Sequence, residues 1–297
     1  MPPFDLSPRV VGRRTFLAAS GGLVLATTAL GRSAWAGGAG NKEISPLVLS
    51  SDLYASPEPQ RFVFAVAIGA DYASRAPAQV GFIPPGSAKG SRTVDVTLQP
   101  TTLHKRGLPK GRGVYVTEAT FDQPGVWDAV VVTSGEQVPF ALEVRAAPVA
   151  PTVGSAASRA PSPTKADRLG VKPICTRVPR CPLHTVSLSD VIGAGTPAAV
   201  MFATPALCQS QYCGPVLDEL LEVRDDYGDR ITFVHVEIYR SNRGADLSPT
   251  VEAWGIDSEP WFYTVDATGT IVGRLDGAFG RDEIVQQLDA LVPTPSS

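Results

Sequence analysis

The chain contains four cysteines, and all of them lie in its second half. Cys208 and Cys213 are separated by a loop short enough to bring the two sulfurs within bonding distance. A helical pattern follows directly, and Pro215 suits the first turn of a helix. A thiol at the N-terminus of a helix faces unpaired backbone N–H groups, which stabilise its thiolate. Because the thiolate is the attacking species in disulfide exchange, this pair predicts redox chemistry.

The second pair, Cys175 and Cys181, lies near the start of the same region. We expect these two residues to form a structural disulfide that closes a short loop. The alternative is a shuttle pair that passes electrons to Cys208 and Cys213. The even number of cysteines is consistent with two disulfides, and three pairings are open.

The segments around the cysteines alternate between strand and helix patterns. A broad apolar stripe predicts a helix over 215–226, and a second one predicts a closing helix over 281–291. Apolar and β-branched runs predict strands over 198–202, 231–238, 261–266 and 271–275. The last two strands flank the turn Ala267-Thr268-Gly269, which indicates a hairpin. This order predicts an α/β domain with one sheet.

Three short motifs in this region resemble those of the thioredoxin superfamily. Tyr212-Cys213-Gly214-Pro215 resembles the family's aromatic-Cys-Gly-Pro centre, and Glu259-Pro260-Trp261 resembles the cis-proline segment before its hairpin. Residues 266–271 resemble the turn that follows. The resemblance implies a thioredoxin-like domain over residues 174–293, with Pro260 against the sulfur of Cys213. It further implies that Cys213 forms the mixed disulfide with substrate and that Cys208 resolves it.

The sequence also departs from that family pattern. The family's second active-site cysteine would fall at Val216, and its buried acid would fall near Met201. The cysteines must therefore exchange protons with a different group than in the family, or the site reacts more slowly than the family's sites, or it is not catalytic. His235 and Glu237, on the neighbouring predicted strand, are candidates to modulate the site, although a lone histidine in an apolar strand is more often structural.

The first 36 residues predict an export signal. Arg13-Arg14 precedes an apolar stretch of about 13 residues and the small-residue site Ser33-Ala34-Trp35-Ala36. The adjacent arginines resemble a twin-arginine signal. We expect cleavage after Ala36 and no membrane span afterwards, because the apolar stretch is too short to cross a bilayer. The protein is then periplasmic, displayed on the cell surface or secreted.

Residues 37–146 carry seven short β-rich runs separated by Pro, Gly and Asp, and this pattern predicts an immunoglobulin-like β-sandwich with Trp127 in its core. Residues 147–173 are rich in Pro, Ala and Ser and predict an exposed linker. Residues 151–181 hold six basic residues and one acid, whereas residues 182–297 hold 6 basic and 17 acidic residues. We therefore expect the basic segment to fold back on the acidic domain. The fold class is thus an all-β sandwich followed by an α/β thioredoxin-like domain.

The net charge of −3 argues against a nucleic-acid binder, and the sequence indicates no metal site, no cofactor and no oligomeric state. The leading hypothesis is a thiol–disulfide oxidoreductase whose partners are protein or small-molecule disulfides and thiols. A non-catalytic binding protein with structural disulfides is the main alternative. A peroxiredoxin-like peroxidase and a copper-delivery protein are further alternatives, because Thr204–Cys208 faintly resembles a peroxidatic loop and thiolates suit Cu(I).

Overall fold

A computed structural model describes residues 44–68, 71–72, 78–87, 92–95, 97–99, 113–133, 135–208 and 212–292. The predicted signal peptide, residues 1–36, lies outside these ranges. Within them, no helix is both long enough and apolar enough to span a membrane.

The N-terminal half forms two sheets in which every pairing is antiparallel. The strands are β1 Ile44–Val48, β2 Gln60–Ile68, β3 Asp71–Tyr72, β4 Ala78–Ile83, β5 Arg92–Asp95, β6 Thr97–Gln99, β7 Val114–Ala119, β8 Gly125–Thr133 and β9 Glu136–Val144. One sheet has the order β1-β2-β7-β6, with β3 paired to β2, and the other has the order β5-β4-β8-β9.

An aromatic cluster forms the core of this half. Phe62, Phe82, Phe121 and Trp127 are buried, and Phe121 meets the Trp127 ring edge-on with centroids 5.2 Å apart. The Trp127 indole N–H donates to the carbonyl oxygen of Gln123 at 3.0 Å, so its polar atom is satisfied. Because residues 37–146 contain no cysteine, apolar burial rather than a disulfide holds these two sheets together.

The C-terminal half has one sheet with helices on both faces. The elements are α1 Leu188–Val191, β10 Ala198–Phe202, α2 Cys213–Val223, 3-10 turns Arg224–Asp226 and Gly228–Arg230, β11 Thr232–Val236, α3 Pro249–Trp254, β12 Trp261–Val265, β13 Ile271–Asp276 and α4 Arg281–Leu291. The sheet has the order β11-β10-β12-β13; β10 and β11 are parallel, and the other pairings are antiparallel. One apolar cluster joins the sheet to α2 and α4, and a second joins its other face to α1 and α3.

The segment 147–173, predicted as an exposed linker, is exposed only in part, because its residues 154–157 bond to β13 and the turn before it. Gly154 N–H donates to the carbonyl oxygen of Ile271 at 2.8 Å, and Ile271 N–H donates to that of Ser155 at 2.9 Å. Ala150 and Val171 are buried. The composition suggested exposure, but short side chains allow the backbone to approach the sheet and satisfy its hydrogen bonds there. The predicted fold-back of the basic segment agrees with an ion pair between Arg177 and Asp218.

Buried charges join the two halves. Asp52 is fully buried as a side chain; it accepts hydrogen bonds from Val149 N–H and Ala150 N–H and pairs with Arg274 at 3.0 Å. Arg61 on β2 contacts both carboxylate oxygens of Glu283 on α4, at 2.7 and 3.0 Å. These pairs fix the two halves relative to each other, since leaving one partner of a buried pair alone is costly.

Candidate active site

Cys208 and Cys213 are joined as a disulfide, with their Cα atoms 5.9 Å apart. Cys213 is the first residue of α2 and is 0% exposed, whereas Cys208 is partly exposed. The backbone N–H of Cys213 donates to Sγ of Cys208 at 3.3 Å. A Cys208 thiolate, formed on reduction, would accept this hydrogen bond and face the positive end of the helix. Cys208 and Cys213 are thus paired, as their spacing predicted, and the accessible residue of the two is Cys208.

The loop before Cys208 is held by hydrogen bonds from two sides. Thr204 N–H donates to Oε2 of Glu259 at 2.7 Å, and Thr204 Oγ1 accepts from Ile238 N–H at 2.9 Å. Ala206 N–H donates to Oγ1 of Thr176 at 3.1 Å. Cys208 N–H closes the turn on the Thr204 carbonyl oxygen at 3.0 Å. The position of the disulfide therefore depends on the segment after β11, on the cis-proline segment and on the residue after Cys175.

Glu259 is a site residue that the sequence analysis missed. Its carboxylate and the sulfurs of Cys208 and Cys213 lie within 4.8 Å of one another. Burial raises the pKa of Glu259 to about 7, against the opposing effect of the Thr204 N–H, and the Glu237 carboxylate adds to the rise. Met201 provides no acid, as its sequence position indicated, yet a carboxyl group reaches the sulfurs from the segment before β12. Its position directly before Pro260 was the available signal.

The Glu259–Pro260 peptide bond is cis, as the motif around Pro260 predicted. Pro260 is buried, and its carbonyl oxygen accepts from Gly277 N–H at 3.1 Å. This places Pro260 directly before β12, next to the residue whose carboxylate reaches the disulfide.

The N-terminal sheets cover one side of the start of α2. Tyr212, directly before Cys213, is buried in a small apolar cluster with Val63, Val114 and Ala278. Two of these residues belong to β2 and β7, so the N-terminal sheets bury the residue that precedes Cys213.

Cys175 and Cys181 do not form the predicted disulfide: both are buried free thiols, with their sulfurs 3.8 Å apart. Their sulfurs instead face two imidazoles. Cys181 Sγ lies 3.3 Å from Nε2 of His184 and 3.3 Å from Nδ1 of His235. The hydrogen bond with Cys181 lowers the pKa of the Cys175 thiol, and the two imidazoles act in the same direction.

His235, predicted as a modulator of the disulfide, belongs to this buried cluster. Its Nε2 lies 2.9 Å from the carbonyl oxygen of Ala203, so it reaches the redox loop only through the backbone. This position disfavours the copper-delivery alternative, which needs His235 beside the Cys208–Cys213 pair. Glu237, the other predicted modulator, accepts hydrogen bonds from the N–H and Oγ1 of Thr176, and burial raises its pKa.

His184 completes the cluster and was not predicted. It follows Cys181 with two residues between them, and its Nε2 lies 3.2 Å from Nδ1 of His235. Cys-x-x-His is a common ligand spacing and was the signal available. Burial lowers the pKa of His184, which favours its neutral form.

No protein-family model matches the chain, and no curated protein matches it. Among solved structures, a protein from Chlorobium tepidum named as thiol:disulfide interchange protein DsbE is similar at 16% identity and a TM-score of 0.34, covering 47% of this chain and 97% of its own. A thioredoxin-like superfamily protein is similar at 11% identity and a TM-score of 0.30, covering 38% of this chain and 88% of its own. The chain is mostly β-sheet with thioredoxin-like neighbours, and similarity this distant leaves its activity to be argued from the site.

Proposed function

We propose that the protein is an exported thiol–disulfide oxidoreductase, in which an immunoglobulin-like β-sandwich precedes a thioredoxin-like domain. The observation that carries the proposal is the disulfide at the start of α2, which has one accessible residue and a carboxyl group beside it. The strand and helix order of residues 198–291 supports the thioredoxin-like part, and the paired antiparallel sheets support the sandwich.

Cys208, rather than Cys213, is the residue that exchanges with substrate in this proposal. In the reduced protein, the Cys208 thiolate attacks a substrate disulfide, a mixed disulfide forms, and one substrate sulfur leaves as a thiolate. Cys213 then loses its proton and attacks Sγ of Cys208. The intramolecular disulfide re-forms and the second substrate sulfur leaves, so that the substrate is reduced by two electrons and the protein is oxidised. This reverses the order implied by the sequence resemblance, because Cys213 is fully buried.

Glu259 carries the proton of Cys213 in this scheme. Its pKa of about 7 lets the carboxylate accept a proton when Cys213 attacks and return it when the disulfide is reduced. A carboxyl group with an ordinary pKa would be a weaker proton donor near neutral pH. The site therefore replaces the acid that the family places on the preceding strand.

Trapping the mixed disulfide tests this assignment. Cys213→Ser should accumulate a mixed disulfide at Cys208 when the protein is incubated with oxidised glutathione, and Cys208→Ser should accumulate far less at Cys213. Mass spectrometry of the intact protein and its peptides gives both yields. Equal yields, or a higher yield at Cys213, would contradict the proposed roles.

The reduction potential of the wild-type pair tests the activity itself. A redox-active pair should equilibrate with glutathione or dithiothreitol above about −300 mV, whereas structural disulfides typically lie below that value. If the pair stays oxidised in buffers poised below about −300 mV, the oxidoreductase proposal fails and the non-catalytic binding protein becomes the better description.

A further inference from the structure

We propose that Cys175, Cys181, His184 and His235 form a structural zinc site. All four residues are buried, and their ligand atoms lie within 4.8 Å of one another. Two thiolates and two imidazoles are a donor set that zinc prefers in structural sites. The proposal stands apart from the proposed redox activity, because none of these residues belongs to the Cys208–Cys213 pair.

The distances within the cluster fit a tetrahedral zinc ion. Zinc bonds are about 2.3 Å long to sulfur and about 2.05 Å long to nitrogen. In a tetrahedral site these bonds place two sulfurs about 3.8 Å apart, a sulfur and a nitrogen about 3.6 Å apart, and two nitrogens about 3.3 Å apart. The two sulfurs are 3.8 Å apart, and Cys181 Sγ is 3.3 Å from each imidazole nitrogen. The two nitrogens are 3.2 Å apart.

The two histidines present nitrogen atoms to the centre of the cluster. His235 Nε2 lies 2.9 Å from the Ala203 carbonyl oxygen, which can only accept, so the proton belongs on Nε2 and the Nδ1 lone pair faces the cluster. A backbone carbonyl oxygen that accepts from the other ring nitrogen typically orients a histidine that binds metal. Within the described ranges, His184 Nδ1 has no hydrogen-bond partner, so Nε2 is the nitrogen that His184 offers to its neighbours.

Charge balance favours a divalent metal at this depth. Two thiolates neutralise one Zn²⁺, and a neutral complex is compatible with the apolar cluster that includes Leu183, Ala203 and both cysteines. Four protein ligands leave no coordination position for substrate, which is typical of a structural site rather than a catalytic one. The site would fasten the segment containing Cys175, Cys181 and His184 to β11, which supplies His235.

The zinc site would also support the redox loop. Ala203, whose carbonyl oxygen accepts from His235, begins that loop, and Thr176, next to Cys175, accepts from Ala206 N–H. Binding the metal would therefore hold His235 and Thr176, the two residues through which the cluster contacts the loop before Cys208. The zinc site would thus position the disulfide and take no part in its chemistry.

Metal analysis of the full chain tests the proposal. The protein is purified under reducing conditions, stripped with a chelator, and titrated with Zn²⁺ and with Co²⁺. We expect one equivalent of either metal to bind, and Co²⁺ to give thiolate charge-transfer absorption together with the visible bands of a tetrahedral site. Zn²⁺ should also protect Cys175 and Cys181 from alkylation, a measurement that needs no variant.

Matched variants locate the metal. The double variant Cys208→Ser/Cys213→Ser should still bind one equivalent of Co²⁺, whereas Cys175→Ser and His184→Ala should bind it more than tenfold more weakly. Absence of the Co²⁺ bands in the reduced wild type, or Co²⁺ binding by Cys175→Ser as tight as that by the wild type, would overturn the proposal. Measuring the reduction potential of Cys208–Cys213 in the same samples shows separately whether the oxidoreductase proposal holds.

Discussion

Replacing Glu259 with glutamine tests the carboxyl group beside the disulfide. The amide keeps an oxygen to accept the Thr204 N–H, which lies 2.7 Å from Oε2, but it cannot ionise. Burial raises the pKa of Glu259 from its ordinary 4.5 to about 7, and the carboxylate of Glu237, directly after β11, adds to the rise. The folded wild type therefore holds a proton that the unfolded chain releases across this pH range.

The sign and size of the effect follow from proton linkage. Because the folded state binds more protons between pH 4.5 and about 7, the free energy of unfolding of the wild type falls as the pH rises through that range. At about 1.4 kcal/mol per pKa unit, the loss is about 3 kcal/mol. Glu259 is only partly buried, so solvent screening makes this figure an upper bound. Glu259→Gln should lack this loss.

Urea unfolding of the oxidised protein at several pH values between 4.5 and 8 measures the effect. Relative to wild type, Glu259→Gln should gain stability steadily as the pH rises. Glu58→Gln, a change at an exposed glutamate, is the matched control and should run parallel to wild type. Glu259→Gln should also re-form the Cys208–Cys213 disulfide at least about tenfold more slowly than the wild type at pH 7, since general acid–base catalysis contributes about 10²–10⁴-fold to a rate. Parallel unfolding profiles for Glu259→Gln and wild type would refute the raised pKa.

Three further substitutions test the packing that surrounds the site. Gly277 has a φ of +68° and its Cβ would overlap the Leu49 carbonyl, so Gly277→Ala should lower the melting temperature more than Gly86→Ala, which has a φ of +74° in open space. Arg61→Ala should cost about 3–5 kcal/mol in urea unfolding, because it leaves a largely buried carboxylate unpaired; an unchanged midpoint would contradict that reading. Trp127→Ala should cost about 3–5 kcal/mol by the same assay, and a loss below about 1 kcal/mol would show that the core tolerates the cavity.

Elements with strong periodicity were predictable from the sequence. The strand over Ala198–Phe202 and the helix over Arg281–Leu291 occur where the apolar patterns placed them. The short helix Pro249–Trp254 was missed because six residues carry too little periodicity, although Pro249 at its start and Gly255 in a left-handed conformation at its end were available signals.

The tertiary arrangement of the site could not be predicted in the same way. His184 and His235 are 51 residues apart in the chain and meet only because the segment before α1 packs beside β11. The segment 147–173 has the composition of a linker, and its pairing with Ile271 depends on backbone groups that composition does not reveal. Side-chain type identified the cysteines, whereas their partners and their exposure depended on the packing of distant elements.

The ion pair of Asp52 with Arg274 bears on how the chain is completed during synthesis. The two residues are separated by 222 positions, so the buried carboxylate of the first half gains this partner only when β13, the last strand of the described residues, has been made. A product that stops before Arg274 lacks the guanidinium that lies 3.0 Å from Asp52 and keeps only the longer contact of Asp52 with Arg145, at 3.6 Å, of these two ion pairs. The N-terminal sheets thus gain this ion pair only once β13 has been made, which couples the stability of one half to the presence of the other.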